Sequence, residues 1–181
     1  MDFKIVKIGN PLLRKKAPLL SRADIKAREF QLFLRAMVPA MRKAQGVGLA
    51  ANQLGSPLRA FVMECRGNKR YPKVDSFPLQ SYVNARILKY SGKWVKDWEG
   101  CLSIPGFRGI VPRAGEVTFE ALLSNGRSVR RTARGFEARV IQHEVDHLNG
   151  FFYMDRMTNL KSWMHLEEFN LHFKRGIRDN K

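Results

Sequence analysis

Carboxylates are scarce in this 181-residue chain, where 16 Asp and Glu stand against 33 Lys and Arg for a formal charge of +17. Such an imbalance predicts attraction to polyanions, with ribosomal RNA or other nucleic acid the obvious class. The cations are spread through residues 14–16, 66–73, 127–134 and 174–178. No aromatic-interleaved motif of a known nucleic-acid module accompanies them, so sequence-specific nucleic-acid binding is not expected, and a solvated basic surface accounts for the same residues. Cysteine is rarer still. Cys65 and Cys101 are too few for a disulfide framework, which leaves a metal or catalytic role for at least one. Cys65 follows the apolar run 60–63 and reads as a small buried or partly exposed thiol.

Long hydrophobic runs are also missing. The only apolar stretch near the start, residues 3–8, has charges inside it, unlike a signal peptide or a membrane span, so the expected location is the cytoplasm with no membrane partner. Repeats and low-complexity tracts are absent. The glycine-rich stretch 45–55 precedes no Lys-Ser or Lys-Thr and lacks a dinucleotide fingerprint, which argues against a phosphate loop. The chain is long enough for one domain with a real core.

What is present is the pattern His-Glu-x-x-His at His143, Glu144 and His147. Residues four apart lie one above the other on a helix, so two imidazoles can grip one ion. At about 100° per residue, His143, His147, Phe136 and Val140 share one sector with Glu144 at its edge, while Arg139 and Gln142 point elsewhere. The metal face is therefore expected to be the buried face, with Glu144 able to reach a metal-held water without being a ligand. A catalytic zinc-like site needs a third protein ligand and an open fourth position. Cys101, alone between the turn residues of Glu99-Gly-Cys-Leu-Ser-Ile-Pro-Gly106, is the best third ligand.

Periodicity predicts a strand over 3–8, a helix from Ser21 or Asp24 to about Ala44 that kinks or ends at Pro39, and a strand over 58–63 followed by a polar loop to Phe77. Further strands are expected over 79–90, 93–98, 110–112 and 117–123, the last turning at Asn125-Gly126 into 128–132. Beyond the metal helix, 151–154 could add a strand or simply pack. Residues 159–174 have a helical pattern, in which His165 and His172 read as ordinary surface or interface histidines. The fold class is α+β: a single compact domain over 1–181, of short, mostly antiparallel strands around a buried central helix, with an N-terminal helix, a C-terminal helix and a basic tail over 174–181.

Three stretches, Gly46-Val-Gly-Leu-Ala-Ala-Asn-Gln53, Glu99-Gly-Cys-Leu-Ser103 and Gln142-His-Glu-Val-Asp-His147, resemble the three signature motifs of peptide deformylases, in that family's order. The opening Ile8-Gly-Asn-Pro-Leu-Leu-Arg14 is similar to the family's start, so the resemblance covers nearly the whole chain. It implies removal of the formyl group from nascent peptides that begin with N-formylmethionine. It also implies one divalent ion per chain, Fe(II) in the cell for many members and Zn(II) or Ni(II) after purification. By matching positions, Cys101, His143 and His147 would hold the ion and Glu144 would be the general acid/base. Gln53 and the backbone N–H of Leu102 would stabilise the oxyanion formed when metal-bound hydroxide attacks the formyl carbon. Gly48 matches a glycine whose backbone lies along the substrate, Val47, Phe136 and Val140 resemble the lining of the methionine pocket, and Arg108 aligns with an arginine that contacts the substrate backbone.

Gly106-Phe107 and Asn84-Ala85 depart from the residues many members carry there. The resemblance further suggests a monomer that docks near the ribosomal exit tunnel through its basic surface or C-terminal helix, on grounds of charge rather than motif. Two other readings share the central pattern: a zinc peptidase, against which an upstream cysteine ligand argues, and a ribosome- or RNA-binding protein with a structural metal. A structural site would need neither Glu144 nor Gln53.

Overall fold

The computed structural model describes residues 3–66 and 76–173. Most of the basic run over 66–73, and the tail over 174–181, lie outside the described residues. Helices α1 (Arg22–Lys26) and α2 (Arg28–Lys43) come first, followed by strands β1 (Gly48–Ala50), β2 (Ala60–Cys65), β3 (Phe77–Cys101), β4 (Ile104–Leu122) and β5 (Ser128–Arg134). Helix α3 (Gly135–Leu148), the two-residue strand β6 (Met164–His165) and helix α4 (Leu166–His172) complete the fold. The sheet runs β1-β2-β3-β4-β5 with antiparallel neighbours throughout, and β6 pairs with the start of β4. This is an α+β domain, as the hydrophobic patterning suggests.

Strand β2 is buried at all six positions because helices cover both of its faces. Phe61 and Met63 point into a core with Tyr82, Val117, Phe119 and the α3 residues Ala138, Ile141, Val145 and Leu148. Ala60 and Val62 point the other way, into a core with Ile25, Phe30, Leu34, Met37 and Met41. Each such large apolar side chain contributes about 1.5–3 kcal/mol by leaving water, which fixes α3 against the sheet.

The first helix is interrupted. Ser21 and Asp24 form a reciprocal capping box at its start, and Ala27 then turns extended at φ −58°, ψ 136°. An unbroken helix would carry Ile25 about 140° away from Phe30 and out of the core. The break at Ala27 returns it to full burial. Pro39 neither ends α2 nor stops it, since it sits on the exposed side, where the carbonyl it leaves unpaired meets water.

Several expected elements differ. Residues 3–8 form no strand, because the N–H groups of Val6 and Ile8 donate to the carbonyls of Gln53 and Ser103 rather than to a strand neighbour. The strands expected over 79–90 and 93–98 are one, since Ser91-Gly92 is a bulge with Gly92 at φ +72° and not a turn. Likewise 110–112 and 117–123 fall within one β4. Residues 151–154 do not extend the sheet, and a 3-10 turn occupies Tyr153–Arg156. Of the helix expected over 159–174, only Leu166–His172 is helical, because 164–165 is taken by β6.

Asn84 adopts φ +56°, and its amide closes on Leu20, with Oδ1 accepting from the Leu20 N–H at 2.9 Å and Nδ2 donating to its carbonyl at 2.8 Å. The side chain ties the N-terminal segment to β3 at a conformation that asparagine tolerates better than most residues.

Candidate metal centre

Three separate elements bring the candidate residues together. Strand β3 ends on Cys101, the buried helix α3 presents His143, Glu144 and His147, and the 3-10 turn Ala51–Leu54 after β1 presents Gln53. The ligand atoms of Cys101, His143 and His147 all lie within 4.8 Å of one another, with Cys101 Sγ 3.2 Å from His147 Nε2. Sulfur and nitrogen bound to one tetrahedral ion stand roughly 3.5 Å apart, so this donor set fits one. A thiol with two imidazoles suits Zn, Fe(II) or Ni(II) better than a hard cation.

The imidazoles are oriented differently. His143 Nδ1 lies 3.0 Å from Glu99 Oε2 and donates to it, which leaves Nε2 for an ion. Burial alone would raise the Glu99 pKa. The charge of Arg113 and the hydrogen bonds from His143 and Arg113 outweigh it and hold the carboxyl well below its usual range. Burial also works against a proton on His143, but hydrogen bonds to Cys101 and Glu99 raise its pKa well above the ordinary value. His147 is fully buried, its pKa falls well below the usual value chiefly for that reason, and its Nδ1 has no partner.

Among the described residues, Glu144 is the carboxylate at the centre without a cation in contact. Burial, with a smaller contribution from the charge of Glu99, pushes its pKa up to about 7 against the opposing effect of His143 and Arg113, and Oε2 has no hydrogen-bond partner. Gly48 makes this placement possible. A β-carbon there would stand 2.7 Å from Glu144 Cδ, inside contact distance. Gln53 is buried, with Oε1 accepting from the Ala50 N–H at 2.9 Å, while Nε2 donates to Ser103 Oγ at 3.2 Å and lies 3.5 Å from Cys101 Sγ.

Gln53, Cys101, His143 and Glu144 line one cleft with Val47, Gly48, Leu102, Phe136 and Val140. Arg108 is not among its lining residues. It is buried in the adjoining groove that holds Lys7, Cys101, Leu102 and Phe107, with its guanidinium over the Phe169 ring. Arg139 and Gln142, which the helical wheel sets apart from the metal face, are buried as well. Arg139 Nη1 donates to Glu99 Oε1 at 2.7 Å, and the Gln142 amide bonds both the N–H and the carbonyl of Ala114. Arg139 and Gln142 are buried because each has partners on β3 or β4.

Glu99, Arg113 and Asp146 form a buried charged group that sequence reasoning did not identify. Arg113 bonds both Glu99 oxygens, at 2.9 and 3.0 Å, and Asp146 at 2.5 Å. Glu99 and Asp146 flank candidate ligands within two motifs, yet neither position indicates that one arginine from β4 joins them.

Residues 3–163 match the family model described as polypeptide deformylase. The chain belongs to the peptide deformylase family. It is 39% identical over 167 residues to peptide deformylase 2 of Bordetella bronchiseptica, covering 92% of this chain and 94% of that one. Peptide deformylase 1 of Nitrosomonas europaea is 36% identical over 159 residues, covering 88% and 89%. A Met-Ala-Ser-bound class I type b peptide deformylase of Acinetobacter baumannii superposes with a TM-score of 0.84 at 34% identity, over 87% of this chain and 99% of that one. Peptide deformylases are enzymes that remove the N-formyl group from nascent peptides and use a single divalent metal.

Proposed function

We propose that this chain, as one catalytic unit, hydrolyses the formyl group from the N-formylmethionine of nascent polypeptides and releases formate. The observation that carries this reading is the convergence of Cys101, His143 and His147, with a buried carboxylate and a buried amide beside them on the cleft that Cys101 and His143 line. Cys101, His143 and His147 would hold the divalent ion, which supplies Lewis acidity that makes water nucleophilic near neutral pH. Fe(II) is the expected native ion, with Zn(II) or Ni(II) able to replace it.

The protein's own groups handle the proton and the charge. Glu144, with a pKa near 7, accepts the proton of the attacking water and returns it to the departing methionyl amine. Gln53 Nε2 and the Leu102 N–H donate to the formyl oxygen as negative charge gathers on it, a contribution of about 10²- to 10³-fold for each donor. Val47, Phe136 and Val140 take the methionine side chain, the Gly48 backbone lies along the peptide, and Arg108 holds the substrate chain further out. The same reading has the protein work as a cytoplasmic monomer whose surplus cations suit the ribosome.

Protein purified anaerobically and given formyl-Met-Ala-Ser should release formate with one ion per chain. Fully metallated protein that releases none would overturn the proposal. Cleavage of the unformylated peptide would favour a peptidase instead.

A further inference from the structure

A groove beside the C-terminal end of α3 shares no lining residue with the catalytic cleft and encloses about 480 Å³. Among the described residues its lining includes Lys16, Arg59 and Arg86 and no carboxylate. Arg59 is 4% exposed, yet it meets only neutral acceptors: Nη1 donates to the Leu148 carbonyl and Asn149 Oδ1, both at 3.0 Å, and to the Ala17 carbonyl at 3.4 Å, and Nη2 to the Ala85 carbonyl at 2.9 Å. A buried guanidinium with no counter-ion among the described residues leaves the groove positive. Arg86 engages Glu120 through Nε at 2.5 Å at the exposed edge, and Lys16 is exposed.

The lining also includes Tyr90, which stacks on Trp94 with ring centroids 6.4 Å apart and planes 16° from parallel. These rings are 53% and 59% exposed. Lys89, Lys93 and Lys96 on the same strand are exposed as well. Deformylation uses none of these groups. Lys16 and the buried Arg59, beside two exposed aromatic rings, match a ligand that carries phosphate and flat rings together.

We propose that this surface binds single-stranded RNA, with a phosphodiester seated between Lys16 and Arg86 over Arg59 and a neighbouring base stacked on the Tyr90–Trp94 pair. Every base has a π-face, so the contact is indifferent to sequence, and a duplex, whose bases are already stacked, does not satisfy it. An acidic protein would engage the cations but would not need both rings.

The test is anisotropy of a short labelled oligoadenylate titrated with the full chain, with duplex RNA and polyglutamate as comparators. Trp94→Ala and Tyr90→Ala should each weaken single-strand binding about tenfold and leave the other two probes unchanged, while Trp94→Phe keeps most of the affinity. Lys16→Ala combined with Arg86→Ala should weaken binding and flatten its salt dependence. Circular dichroism and thermal unfolding, as well as formate release, should be unchanged in all of these variants, which shows that they fold. Absence of single-strand binding, insensitivity to loss of both rings, or equally tight binding of polyglutamate would overturn the proposal. The readout is RNA affinity, so the outcome is independent of the deformylase reading.

Discussion

The carboxylate of Glu144 occupies the space that any side chain on Gly48 would need. Gly48→Ala must therefore push Glu144 aside, and because the glycine has no positive φ to lose, the damage is confined to that displacement. Formate release should fall by about 10²-fold or more, within the range that a general base supplies. Metal content should stay the same. A variant that is fully active would show that Glu144 does not need its present position.

Glu144→Gln is expected to abolish turnover with the ion still bound, and Cys101→Ala to lose the ion. Metal analysis of each purified variant beside a formate assay separates the two roles. Retained turnover in the first, or unchanged metal in the second, would reassign the residue concerned.

Glu99 is expected to matter for both stability and metal. Glu99→Gln weakens the hydrogen bond that orients His143 and leaves Arg113 and Arg139 short of a buried negative charge. Metal affinity should drop about 10- to 100-fold. Unfolding in urea should come earlier by a few kcal/mol. Competition with a chelator measures the first effect, and unaltered affinity would show that His143 is oriented without Glu99.

In the metal-free protein Glu144 should contribute a loss of stability as pH rises from about 4.5 to about 7, opposite in sign to the gain from His147, whose folded pKa is depressed. Over that interval folded Glu144 keeps a proton that the unfolded chain has released, so its contribution falls by about 3 kcal/mol. Below that interval the sign reverses for Glu99. Its folded pKa is depressed, so the stability it gives is present above about pH 4.5 and is lost as acid protonates it. Urea titrations of metal-free Glu144→Gln across the same pH range should lack the first decline and keep the second.

The metal helix was legible because two histidines and a glutamate at that spacing suit one face of a helix, and the hairpin because Asn125-Gly126 signals a turn, although its loop is the three residues 124–126, closed by the Leu123 N–H on the Arg127 carbonyl, and not the two expected. Strand β3 was divided wrongly because Ser91-Gly92 has turn chemistry, and a bulge uses the same residues. Residues 3–8 alternate like a strand, but alternation records burial and not which carbonyl an N–H will find. Arg139 and Gln142 were set apart from the metal face, which was expected to be the buried one. Their burial depends on Glu99 and Ala114, which tertiary structure alone brings near. The same limit hid the link from Glu99 to His143 across 44 residues, and the basic groove, whose cations come from three distant segments and form no contiguous motif.

The proposed ligands Cys101 and His147 are 46 residues apart, with β4 and β5 between them. An ion held by both would fasten the end of the longest strand to the central helix, much as a disulfide closes a loop, but reversibly and without a second cysteine. Loading would then slow amide exchange in two places at once, at the β3–β4 turn and along α3. The ion would serve as a fold-locking crosslink as well as a reagent.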